Sequence, residues 1–150
     1  EAIDKAMAHL RDAQEKGGEV LTGGQVLSDS NGYYLTPAVI SGATDDMQCM
    51  QEETFGPIAP IAPFENVEEA VERANNTPFG LAAYVYSDKI SEAIYIAENL
   101  EYGIVGVNDG LPSVAQAPFG GFKQSGLGRE GSHHGIDEFL EVKYISLGLN

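Results

Sequence analysis

The stretch LAAYVYSDKISEAIYIAENLEYGIVGV, Leu81 to Val107, decides the fold. An apolar run, LAAYVY, is followed by polar SDK, a segment of helical period from Lys89 to Leu100, and a second apolar run, GIVGV. Ile90, Ala93, Ile94, Ala97 and Leu100 fall on one face at helical spacing, with Asp88 placed to cap the helix and Gly103 to end it. Two strands joined by a helical crossover are parallel, and both are apolar on their two faces apart from Tyr, as strands covered by helices on each side must be. The prediction is an α/β fold, a largely parallel sheet flanked by helices.

Upstream the alternation continues. The run PIAPIAPF from Pro57 reads as a strand, and a helix follows from Val67 to Ala74 with Val67, Ala70, Val71 and Ala74 on one side. Asn66 and Glu69 form a capping box at its start. Near the N-terminus, Ile3, Ala6, Met7, Leu10 and Ala13 make one apolar stripe on a helix over 2–16, which Gly17 and Gly18 stop. EVLTGG then predicts a short strand and a glycine turn, SDSNGYY a loop, and PAVISG another strand.

Downstream the periodicity disappears. Residues 108–135 hold seven of the 18 glycines, and a loop this long is functional or ordered by something else. Within it GLGREG, Gly126 to Gly131, matches the G-x-G-x-x-G pattern of dinucleotide-binding folds. That fingerprint requires a strand before it, a helix opened by its third glycine, and an acidic residue some 20 positions on. FGGFKQS is no strand, SHHG opens no good helix, and position 146 is Ser, so the stretch reads as a turn-forming loop. The chain closes with IDEFLEVKYISL, a half-turn of helix and then a strand with no neighbour in the preceding α/β unit.

Composition narrows the function classes. Asp and Glu number 23 against 8 Lys and Arg, a net charge of −15, and no basic stripe with interleaved aromatics is present. Nucleic acids and anionic membranes are therefore poor partners. No apolar run approaches the roughly 20 residues that span a bilayer, and a soluble, single compact domain is expected. The lone Cys49 has no disulfide partner, which fits a reducing, cytoplasmic setting, and no Cys/His cluster has metal-ligand spacing, so no metal is expected. The chain opens EAIDKAM without an initiator Met, as a piece of a larger protein would.

The segments PFGGFKQSGLGREGSHHGIDEFLEVKYI, EETFGP, GLAAYVYS and GIVGVN, taken together and in this order, resemble the C-terminal portion of NAD(P)-dependent aldehyde dehydrogenases over essentially the whole chain. The resemblance implies a cysteine nucleophile that forms a thiohemiacetal, passes hydride to the nicotinamide and leaves a thioester for water. It also implies that this cysteine, the general-base glutamate, the oxyanion asparagine and the cofactor domain all precede the segment, leaving no catalytic residue in it. Cys49 lies only four residues before Glu53, far from the family's nucleophile position, and reads as a small buried or strand cysteine.

The resemblance assigns specific residues. Glu53 of EETFGP matches the carboxylate that holds the nicotinamide ribose hydroxyls, and Phe55 the aromatic beside the nicotinamide. NAD or NADP is the implied cofactor, bound mainly by upstream sequence. The loop from Asn108 to Phe119 matches the substrate-entrance wall, where Phe119 would line the aldehyde pocket. Ser113 stands where succinate-semialdehyde dehydrogenases tend to place a serine that donates to the substrate's distal carboxylate, and GLGREGS and EVKY also look closest to that subfamily. The implied partners are a small aldehyde or semialdehyde and further copies of the chain. Residues 1–135 would form the C-terminal part of the catalytic domain and 136–150 a terminal strand, with a homo-oligomer built through Ile136–Leu147. Dehydrogenases of other ω-semialdehydes remain open, as does a non-catalytic binding or assembly module on the same scaffold. A complete small enzyme using Cys49 would need a cofactor site that GLGREG does not supply.

Overall fold

A computed structural model of the chain describes residues 2–27 and 32–149; most of the loop expected at SDSN lies outside the described residues. Two compact units divide it, Glu1–Glu65 and Asn66–Asn150. Each contains a parallel strand pair with a helix between its strands, so the fold class is α/β, built of small sheets and helices.

In the first unit α1 (Ala2–Glu15) ends where Gly17 takes φ +91°, and the Gly18 N–H returns to the Ala13 carbonyl at 2.8 Å. The predicted stripe faces inward, with Ala6, Leu10 and Ala13 buried. Strands β1 (Glu19–Thr22), β2 (Ala38–Ser41) and β3 (Ile58–Ile61) form one sheet, antiparallel between β1 and β2 and parallel between β2 and β3. Between β2 and β3 lies the one-turn helix α2 (Gln48–Gln51). Leu10, Ala13, Ala38, Ile40, Ala43, Met47 and Cys49 make the core. Cys49 is thus buried as expected, but on a helix rather than a strand.

In the second unit α3 (Val67–Asn75) starts at Asn66, whose side chain accepts from the Glu69 N–H at 2.9 Å, half of the expected capping box. The strand pair β5 (Ala82–Val85) and β6 (Ile104–Val107) is parallel, with α4 (Ile90–Asn99) crossing between them. A second, antiparallel pair joins β4 (Phe79–Gly80) to β7 (Phe122–Lys123), so FGGFKQS, expected to hold no strand, contains a two-residue one, formed because its backbone pairs with a segment 43 residues earlier.

Four local expectations change. The N-cap of α4 is Lys89, not Asp88, and the cap contact comes from Ser87, whose Oγ accepts from the Lys89 N–H at 3.1 Å. The helix ends at Leu100 in extended backbone, before Gly103. Its inward face is Ala93, Ile96, Ala97 and Leu100, while Ile90 and Ile94 are exposed. Tyr84 and Tyr86 are also exposed, so this pair is not covered on both sides within the chain.

A 3-10 helix spans His134–Phe139, and residues 140–149 then run without any β ladder. Among the described residues no strand pairs with the expected terminal strand. Among the described residues no helix is long and apolar enough to cross a membrane.

Candidate functional site

The glycine loop is built for turning. Gly126, Gly128 and Gly131 all take positive φ, at +110°, +84° and +66°, and no α-helix opens after them. The notch at Gly128 is taken by the protein itself: an added Cβ would lie 2.8 Å from the Glu138 carboxylate, whose Oε1 accepts from the Arg129 N–H at 3.1 Å. A carboxylate in that place repels phosphate, which agrees with reading GLGREG as a loop.

Loop and flanking segments form a second-unit cavity of about 700 Å³, lined among others by Leu81, Phe119, Leu127, Arg129 and Phe139. Phe119 is fixed there by a reciprocal backbone pair with Glu130, at 2.8 and 2.7 Å. Arg129 braces the floor: its Nη1 donates to the Gly121 and Gly128 carbonyls at 3.0 and 2.6 Å, and its guanidinium sits 5.6 Å from the Phe122 ring centroid. Ser113 is exposed and is not among the residues that line this cavity.

The wall that carries Ser113 is anchored at both ends. Asn108, at φ +51°, donates from Nδ2 to the Ser87 carbonyl at 2.9 Å and accepts the Ser87 N–H at 3.0 Å, adding a side-chain rung beyond β5 and β6. At the far end the Ser132 N–H reaches the Ala115 carbonyl at 2.9 Å. Asn108 entered the sequence reading only as the start of the loop; its left-handed backbone, tolerated by Asn, is not visible from spacing.

In the first unit, Glu53 and Phe55 share the loop that leaves α2. Glu53 is exposed. Phe55 is 88 % exposed and has φ +47°, an unfavourable conformation for a bulky side chain. Behind them stand residues that motif reading passed over. Lys5 Nζ donates to the Glu53 carbonyl at 2.6 Å, and His9, 1 % exposed, meets Thr54 Oγ1 through Nδ1 at 2.9 Å and Glu52 Oε2 through Nε2 at 3.5 Å. A signal did exist for His9: it lies three residues after Ala6 and four before Ala13, a polar residue on the apolar stripe. The two glutamates of EETFGP thus divide, Glu52 turned toward α1 and Glu53 presented outward.

Cys49 lies on α2. It is packed in the core, and burial pushes its thiol above the ordinary range, the opposite of an activated nucleophile. No group of three or more metal-ligating side chains occurs among the described residues.

Known proteins share both sequence and shape with this chain. The profile of the Aldehyde dehydrogenase family matches residues 1–145. A rat protein named succinate-semialdehyde dehydrogenase, mitochondrial, is 52 % identical over 98 % of this chain and 28 % of its own length. A Pseudomonas putida protein named 3-sulfolactaldehyde dehydrogenase is 48 % identical over 98 % of this chain and 30 % of its own. The crystal structure of succinate-semialdehyde dehydrogenase from Burkholderia pseudomallei superposes with a TM-score of 0.90 at 51 % identity, covering 96 % of this chain and 30 % of that one. The chain spans about three tenths of the length of these relatives. With the family profile matching nearly end to end, the chain belongs to the aldehyde dehydrogenase family.

Proposed function

We propose that this chain is the C-terminal part of an NAD(P)-dependent aldehyde dehydrogenase whose complete polypeptide oxidises succinic semialdehyde to succinate. The observation that carries the reading is the Glu53–Phe55 loop: an exposed carboxylate beside an exposed aromatic held at positive φ. Backbone strain of this kind persists only where surrounding structure over-determines it, and it concentrates at ligand clamps. The residues fit a nicotinamide nucleotide. Glu53 can accept from two vicinal ribose hydroxyls, and Phe55 offers an open ring face to the nicotinamide. When bound, NAD or NADP supplies the hydride acceptor; the chain's own residues hold and orient it.

Succinic semialdehyde is supported by the names of the rat and Burkholderia proteins and by the exposed Ser113 hydroxyl, which can donate to a distal carboxylate. Phe119 would line the aldehyde's path. The Pseudomonas putida relative, named for another aldehyde, favours a second reading in which the distal group differs. The proposed reaction setting is cytoplasmic. We further assign residues 1–135 to the catalytic domain and 136–150 to oligomerisation through Ile136–Leu147, supported by Val142, Ile145 and Leu147 being exposed in a segment without ladder partners.

The test is formation of reduced nicotinamide by the 150-residue chain and by the complete polypeptide, each given NAD or NADP with succinic semialdehyde or propanal. Turnover is expected only from the complete polypeptide, with succinic semialdehyde preferred. Turnover by the isolated chain that vanishes in Cys49→Ala would overturn the assignment of the nucleophile to upstream sequence.

A further inference from the structure

We infer that His9 is a positioning residue for the cofactor-binding loop, acting through Thr54 so that one face of α1 sets how Glu53 and Phe55 are presented. The inference rests on the reading of Glu53 as a ribose acceptor and adds residues which that reading does not contain.

Among the described residues His9 is the one charged or polar side chain that is buried. A buried imidazole keeps its polar atoms only if they are partnered, and both partners of this ring lie on the same loop. A carboxylate only accepts, so the Nε2 facing Glu52 carries a hydrogen, and Nδ1 shares the 2.9 Å bond with the Thr54 hydroxyl. One helical turn earlier Lys5 grips the Glu53 carbonyl and stands 3.8 Å from the Glu52 carboxylate. Lys5 and His9 are four residues apart and share a helix face, so Glu52, Glu53 and Thr54 are held from one rigid element.

The arrangement explains the conformation that follows. Thr54, drawn inward between Glu53 and Phe55, leaves its neighbours to point away from α1, and Phe55 stays at φ +47°. Without the Thr54 anchor, Phe55 is free to return to an ordinary φ, which turns the Thr54–Phe55 peptide and loosens the loop that presents Glu53. The ribose acceptor then samples several orientations, and cofactor binding weakens while the aldehyde's own contacts remain.

The test compares Glu53→Ala, His9→Ala, His9→Asn and Thr54→Val in the complete enzyme, reading kcat and separate KM values for cofactor and aldehyde. Val matches the shape of Thr and removes only the hydroxyl, and it keeps the test decisive if His9→Ala does not fold. Asn at position 9 places an acceptor near Nδ1. His9→Ala and Thr54→Val are expected to raise the cofactor KM about five- to tenfold, the equivalent of one hydrogen bond, with the aldehyde KM unmoved. His9→Asn is expected to return most of the loss. A merely structural His9 would reduce the yield of folded enzyme and leave both KM values alone. If Glu53→Ala raises the cofactor KM but Thr54→Val does not, the positioning role is overturned while the ribose reading stands. If Glu53→Ala leaves the cofactor KM unchanged, the ribose reading itself fails.

Discussion

Gly103→Ala separates two accounts of one glycine, and its cost can be worked from the coordinates. Sequence spacing makes Gly103 a helix stop, a role in which Ala would cost a few tenths to about 1 kcal/mol. The structure instead packs it against the backbone of the PFGG turn: a Cβ there would lie 1.9 Å from the Gly120 carbonyl oxygen and 2.8 Å from its carbon. Real contacts of this kind do not fall below 3.0 Å, so the two segments must part by about 1 Å. Neither gives easily. The Gly103 N–H is bonded to the Gly80 carbonyl at 3.0 Å, and the turn is held by the Phe119–Glu130 pair and by Arg129 on Gly121. Overpacking costs ~1–3 kcal/mol, and loosening the charge-assisted Arg129 contact adds ~1 kcal/mol after allowance for its partial exposure, about 3 kcal/mol together. With a urea m-value of about 2 kcal/mol/M, the midpoint should fall by roughly 1.5 M. Urea unfolding of the 150-residue chain followed by circular dichroism measures this, and amide exchange at Phe119 reports whether the turn moved. A midpoint within about 0.3 M of wild type, with Phe119 still protected, would refute the close-approach argument.

Other outcomes follow from the same contacts. Asp12 accepts the Gln48 N–H at 2.7 Å and pairs with Lys16 at 2.9 Å, which together hold its carboxyl below the usual range. Its stabilisation is therefore complete at neutral pH and is lost as pH falls through the lowered pKa, so Asp12→Asn should lower Tm at pH 7 by an amount that shrinks as pH falls below the ordinary carboxylate range. Cys49, buried and with its thiol pushed up, should resist a disulfide thiol reagent at pH 7 in the native chain and react in full once urea unfolds it. Val142 and Ile145, 100 % and 77 % exposed, carry the proposed oligomer contact, and replacing both with Glu should dissociate the complete enzyme as read by sedimentation. An unchanged mass would remove the segment from the interface.

Legibility in the sequence followed the range of the interactions. The α1 stripe and the Asn66 cap were readable because each depends on residues within a few turns, and the β5–α4–β6 crossover because strand, helix and strand follow one another directly along the chain. Asp88 is not the cap because the helix starts one residue further on, at Ile90, with Ser87 accepting the Lys89 N–H, and local pattern does not fix a helix start to the residue. Glu53, Phe55, Ser113 and Phe119 were named from resemblance, and motif reading attached nothing to His9, since its partners lie 43 and 45 positions away.

The sequence by itself determined the α/β class, the family and the dismissal of GLGREG, for these rest on periodicity, ordered motifs and turn chemistry. Only the tertiary structure decided that Glu52 turns toward α1 while Glu53 faces out, that Glu138 fills the notch at Gly128, that Gly103 lies against Gly120, and that Phe119 lines the cavity braced by Arg129. The reason is physical: each of these is a contact between segments whose separation along the chain carries no periodic signal. Such contacts are settled by packing and by satisfying buried polar groups, and both exist only once the chain has folded.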